Sequence, residues 1–141
     1  MRRRLFSIIL LLAIPLLGVV VSTPASAQTA ATIEITSVSL VARGAAIDVA
    51  LTVTCEEGFV GFLGAEATQR SGNRIAQGFG NEDFVCTGQP QTLIVRAVSF
   101  VGSAPFKSGI ALVTASLQAC DADFSVCQFA TIRDEVFRIR A

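Results

Sequence analysis

The chain contains no histidine, tryptophan or tyrosine, its one methionine is Met1, and Lys107 is its single lysine among 141 residues. Each absence removes a class of chemistry. Without histidine neither a Ser-His-Asp nor a Cys-His constellation can be assembled, and a histidine-ligated zinc or copper site is equally excluded. Lys107, between Pro105-Phe106 and Ser108-Gly109, reads as an exposed loop charge rather than a Schiff-base lysine. Carbohydrate modules rely on the flat face of Trp or Tyr, and here all ten aromatic residues are phenylalanine. The only catalysis left open is carboxylate chemistry, so the expectation is a protein that is not an enzyme and needs no cofactor.

What is present at the N-terminus is one long apolar run. Arg2, Arg3 and Arg4 precede Leu5–Val21, and Ala25-Ser26-Ala27 supplies small residues for signal peptidase. The run falls short of the ~20 residues of a spanning helix, and Pro15 interrupts it. The expectation is a signal-peptide helix over 1–27, cut between Ala27 and Gln28, and a secreted domain over 28–141 with no stable membrane insertion afterwards. That domain carries eleven acidic and eight basic residues. Its arginines are scattered along the chain rather than clustered, which argues against a nucleic-acid partner.

Period-two alternation dominates the domain. Ile47, Val49, Leu51, Val53 and Cys55 alternate with Asp48, Ala50, Thr52 and Thr54, which makes a half-buried strand with Cys55 facing inward. Further strands are expected at Ile33–Val41, Phe59–Arg70, Arg74–Asn81, Phe84–Thr87, Leu93–Phe100, Ile110–Ala119 and Phe129–Ile139, with turns at Arg43-Gly44, Ser71-Gly72-Asn73, Gly88-Gln89-Pro90 and 102–109. Seven or eight short strands at this spacing predict an all-β fold, an immunoglobulin-like antiparallel β-sandwich. Val113, Ala115, Leu117, Phe137 and Ile139 join the Ile47–Val53 set as expected core residues.

Four cysteines in a small exported chain read as two disulfides, with three connectivities open. If Arg70 faces Arg74 across the Ser71–Asn73 loop, Cys55 and Cys86 both fall at the open end of that hairpin. Cys120 and Cys127 flank a short connection between consecutive strands, where a cross-strand bridge fits. Six intervening residues with acidic neighbours do not make a CxxC redox motif, and tetrathiolate zinc would want CxxC pairs. The expected links are 55–86 and 120–127, with no metal.

Two weaker signals remain. Asp121 and Asp123 with nearby carbonyls form an incomplete calcium pattern, lacking the DxDxDG loop. The segments GFVGFLGAEA (58–67) and AQGFG (76–80) set Phe59, Phe62 and Phe79 among five glycines. Glycine inside strands marks bulges or the close approach of another backbone or a ligand. The three phenylalanines either pack over bulged strands or line a small apolar cleft.

The run from VTC through ATQRSGNRIAQGFGNEDFVCTGQPQTLIVRAVSF to KSGIALVTASLQAC resembles an uncharacterised family of small secreted actinobacterial immunoglobulin-like domains. The resemblance spans 32–140 and implies fold and export, since the family has no established activity. A second resemblance is to the enediyne-binding apoproteins, exported four-cysteine sandwiches of this size whose disulfides both close short loops, whereas 55–86 encloses thirty residues here. It carries over no pocket residue. The expected function is therefore binding of an unidentified protein or small-molecule partner, with carriage of a small apolar ligand as the alternative. The signal reading has a direct test: the mass of protein recovered from culture supernatant should correspond to a chain starting at Gln28. Intact Met1–Ala141 in the membrane fraction would mean a retained anchor instead.

Overall fold

The computed structural model describes residues 30–141; the expected signal segment and the Ala27–Gln28 junction lie outside the described residues. Seven strands and one short 3-10 turn (Ala42–Gly44) make up the fold: β1 (Thr32–Val41), β2 (Ala46–Thr54), β3 (Val60–Ser71), β4 (Arg74–Val85), β5 (Gln91–Ser99), β6 (Gly109–Cys120) and β7 (Cys127–Ile139). The all-β expectation holds, and the strand number is seven. The segments expected separately at Arg74–Asn81 and Phe84–Thr87 are the single strand β4, because Asn81, Glu82 and Asp83 keep ladder partners on β3. Their polarity costs nothing there, since all three are exposed.

Hydrogen-bonded neighbours run β1-β2-β5-β4-β3-β6-β7, every pair antiparallel. Divided between β4 and β3, this is the ABED/CFG strand order of a constant-type immunoglobulin sandwich. Here β4 instead pairs with β3 along its whole length and meets β5 at only two pairs, so one strip folds into the layers β1-β2-β5 and β4-β3-β6-β7. The strip nearly closes on itself. Leu40 N–H donates to the Arg140 carbonyl at 2.7 Å, and Arg140 N–H donates to the Val38 carbonyl at 3.0 Å, forming a parallel bridge between Ser39 and Arg140.

The corner that folds the strip depends on missing side chains. β4 and β5 share only two ladder pairs, Gly78–Ser99 and Phe79–Val98. A Cβ on Gly80 would lie 2.0 Å from the Arg96 carbonyl oxygen, and one on Gly78 would lie 2.6 Å from that of Val98. Only glycine lets β4 press this closely on the β5 backbone. Within the strip, Ile47, Val49, Leu51, Val53, Val113, Ala115, Leu117 and Ile139 are buried as their alternation demands, and Phe137 packs against this core half-buried. Phe106 fills one end of the core and Phe59 the other. Gln69, buried within β3, clamps the chain beside Phe106: its Nε2 donates to the Lys107 carbonyl at 2.7 Å, and its Oε1 accepts from the Lys107 N–H at 2.8 Å.

The β3–β4 register differs by one residue from the expected Arg70–Arg74 pairing. Ser71 pairs with Arg74, and Arg70 with Ile75. The loop is the two residues Gly72-Asn73, with Gly72 at φ 68° in the first central position, as a type II′ turn requires. A one-residue change exchanges the faces of β4 relative to β3, and places Ile75, Gln77 and Phe79 on the same side as Arg70, Thr68 and Glu66. Both disulfides form as expected: Cys55–Cys86 with Cα atoms 5.5 Å apart and Cys120–Cys127 at 4.1 Å, leaving no free cysteine among the described residues. A turn closed by Phe59 N–H on the Glu56 carbonyl carries Cys55 back toward Cys86, whose own N–H donates to the Phe59 carbonyl.

Two stability measurements check this architecture. Replacing the Cys55–Cys86 pair by alanines should lower unfolding free energy more than replacing Cys120–Cys127, by roughly 1 kcal/mol on chain entropy alone, because the separations are 31 and 7 residues. An equal or inverted order in denaturant titrations would show that core packing, not chain closure, sets the difference. Gly80→Ala should cost about 1–3 kcal/mol or more through overpacking at the β4–β5 corner. A variant melting like the parent would mean that β4 can stand off from β5 without loss.

Candidate functional site

The outer face of the β4-β3-β6-β7 layer follows directly from the ladder. Val85, Val60, Cys120 and Cys127 form one end row and Asp83, Phe62, Gln118 and Phe129 the next; at the other end Ile75 pairs with Arg70 and Ile110 with Arg138. A solvated sheet face should alternate to polar residues, yet this one does not. Of the 15 exposed large apolar side chains among the described residues, nine stand on it: Ile75, Phe79 and Val85 on β4, Val60 and Phe62 on β3, Ile110 and Leu112 on β6, Phe129 and Val136 on β7. Between the apolar ends lies a polar middle of Asn81, Ser116, Thr131, Glu66, Thr114 and Asp134. Asp134 sits at a β7 bulge with φ 50°, where its N–H donates to Thr114 Oγ1 at 3.1 Å.

Two open depressions mark this face. One, about 510 Å³, is lined by Thr68, Arg70, Ile75, Ile110, Ala111 and Leu112. The other, about 290 Å³, is lined by Val60, Gly61, Phe62, Asp83, Gln118, Cys120 and Phe124. Phe124 belongs to the β6–β7 connection and is 71% exposed with φ 56°. A bulky residue in the left-handed region is a true outlier, held by its surroundings at a cost of order 1–3 kcal/mol. What holds it is the turn between the two cysteines. Asp121 N–H donates to the Val126 carbonyl at 3.0 Å, Phe124 N–H to the Asp121 carbonyl at 3.1 Å, and the Asp121 carboxylate accepts from both the N–H and the hydroxyl of Ser125. The Ser125 hydroxyl, with further turn N–H donors, holds the Asp121 carboxyl below the usual carboxylate range. Asp121 is thus a latch on the turn, while Asp123 is exposed, and no cluster of three or more acidic, His or Cys side chains is placed to hold a metal among the described residues.

The three phenylalanines of the glycine-rich segments are not brought into one cleft. Phe59 is buried at the end of the core, whereas Phe62 and Phe79 stand on the outer face, each 44% exposed. The glycines around them are filled by packing: a Cβ on Gly61 would overlap the Phe84 ring, and one on Gly64 would touch Ser116 Oγ at 3.2 Å and the Phe79 ring at 3.5 Å. Phe79 lies across Gly64 on the outer surface. Of the adjacent acidic pairs, Glu56-Glu57 occupies a turn, while Glu82-Asp83 and Asp134-Glu135 lie inside strands.

Sequence scanning missed the charge distribution. Arg43, Arg70, Arg74, Lys107, Arg138 and Arg140 are far apart in the chain, yet all are exposed at the end carrying the β1–β2, β3–β4 and β5–β6 connections. Those connections touch: Phe106 N–H donates to the Gly44 carbonyl at 2.9 Å, and Arg74 Nη2 to the Gly102 carbonyl at 2.9 Å. Among the described residues the opposite end holds Glu56, Glu57, Glu82, Asp83, Asp121 and Asp123 and no basic side chain. The one salt bridge among the described residues is elsewhere, across β2 and β5, where Arg96 Nε lies 2.7 Å from Asp48 Oδ1 and its hydrogen bonds hold the Asp48 carboxyl below its ordinary range. The signal for this segregation was the alternation of connections along the chain, since odd-numbered connections share one end of an antiparallel strip.

No protein-family model and no curated protein sequence matches the chain, so the resemblance to a family of small secreted immunoglobulin-like domains has no sequence match behind it. Among solved structures the chain is similar to macromomycin, at 15% identity over 79% of this chain and all of that one, with a TM-score of 0.35. So low an overlap carries no argument about a ligand.

Proposed function

We propose that the protein is a secreted, non-enzymatic interaction domain that docks a protein partner on the outer face of its β4-β3-β6-β7 layer. The observation that carries this reading is the concentration of nine exposed large apolar side chains on one sheet face, joined by the strained Phe124 at its rim. Large exposed apolar patches mark interaction sites, and the exposed aromatics Phe62, Phe79 and Phe129 on this face are typical anchors. The two disulfides fit an extracellular setting. The lack of histidine and the openness of both depressions favour recognition over catalysis.

A partner built for this face should be lost when the face is charged. Phe62→Asp and Leu112→Asp stand at exposed positions, so each should leave melting nearly unchanged, within about 0.5 kcal/mol. Their joint introduction should abolish capture of the proteins that co-purify with the tagged wild type from culture supernatant. Unchanged capture by a variant of normal melting behaviour would move the site off this face.

A further inference from the structure

We infer that the basic end of the sandwich is a docking surface for an anionic phospholipid bilayer, with the Phe100–Val101 turn entering the headgroup layer. Six cations gather there from four separate segments of chain, and none has an ion-pair partner among the described residues. Juxtamembrane cations gain attraction within a Debye length of an anionic surface. A domain with more acidic than basic residues would be repelled as a whole. Segregation removes that obstacle, since the carboxylates lie at the far end and turn away from the membrane when the basic end faces it.

Charge alone would suit any polyanion; the β5–β6 connection selects the bilayer. Ser103 N–H donates to the Phe100 carbonyl at 3.0 Å, closing a turn with Gly102 at φ 82°, and Val101 at its first central position is fully exposed. Gly at the second central position is what a type II turn requires. Phe100 beside it is 49% exposed. The turn is held rather than loose: Phe100 N–H donates to the Gln77 carbonyl, Ala104 N–H to the Ile75 carbonyl, and Arg74 bonds Gly102. An apolar tip with the Arg74 guanidinium bonded beside it, on an end carrying five further cations, matches the interfacial zone of a membrane, where apolar side chains sink below the headgroups and cations stay among them. A soluble phosphate or a nucleic-acid backbone gives Val101 nothing to bury against. No helix among the described residues is long and apolar enough to cross a membrane, so the attachment is peripheral.

The test is sedimentation of the purified secreted protein with vesicles of phosphatidylcholine alone, or of equal parts phosphatidylcholine and phosphatidylglycerol. Binding is expected only to the mixed vesicles, falling as salt is raised. Arg70→Gln, Lys107→Gln and Arg138→Gln should each weaken it about fivefold, and Val101→Asp should abolish it at unchanged melting temperature. Glu56→Gln with Glu57→Gln at the far end should not weaken it. Equal binding to both vesicle types, indifference to Val101→Asp, or equally tight binding to duplex DNA would overturn the inference. So would salt-sensitive self-association without vesicle binding, which would assign the basic end to the acidic end of a second copy.

Discussion

The close approach of β4 to β5 is the constraint on which the architecture depends. With a side chain at Gly78 or Gly80 the two backbones could not approach as they do, and the two layers would lose their join. β4 would then remain an extension of β3 alone, without the two ladder pairs it now shares with β5. Because the strands do meet, the strip curls and its far edges, β1 and β7, reach each other at Ser39 and Arg140. Edge strands are templates for unwanted pairing, and this fold leaves little of either edge open near that bridge. Two absent methyl groups therefore decide whether the strip can fold back on itself.

Once the strip is closed, parity does the rest. Every strand must send alternate residues inward, so the outer face of the β4-β3-β6-β7 layer receives whatever occupies the other positions. On β2 these are Asp48, Ala50, Thr52 and Thr54, an ordinary solvated set. On the opposite layer they include nine large exposed apolar side chains around a polar middle, against Ile94 and Val98 on β5. Nothing about stability of the isolated domain calls for that difference, since those side chains are left in water. The contrast between the two outer faces of one sandwich is the reason to place recognition on the second.

Much of the fold was legible from alternation and turn residues. Ile47 to Val53 announce their strand and its inward face, and the pairing of Cys120 with Cys127 follows from two flanking strands. The β3–β4 register was not legible. Ser71-Gly72-Asn73 accommodates either a two- or three-residue loop, and only the placement of Gly72 at positive φ settles which. The roles of Phe59, Phe62 and Phe79 were hidden for the same reason, because they depend on which face each residue meets, and neighbouring glycines carry no periodicity. The gathering of six cations was invisible to any local window. It is a property of topology: residues some thirty positions apart become neighbours when connections alternate between two ends.

Gln69 has an implication of a different kind. Its amide binds the nitrogen and the oxygen of the same residue, Lys107, as a neighbouring strand would. Such a grip reads no side chain. Around the buried Ala104 and Phe106, the exposed positions between Ser99 and Gly109 are consequently freer to change while the path stays fixed at the Lys107 end. With Phe106 anchoring the segment in the core and main-chain atoms fixing it at Lys107, exposed positions such as Val101 can acquire new surface chemistry at little cost to the domain.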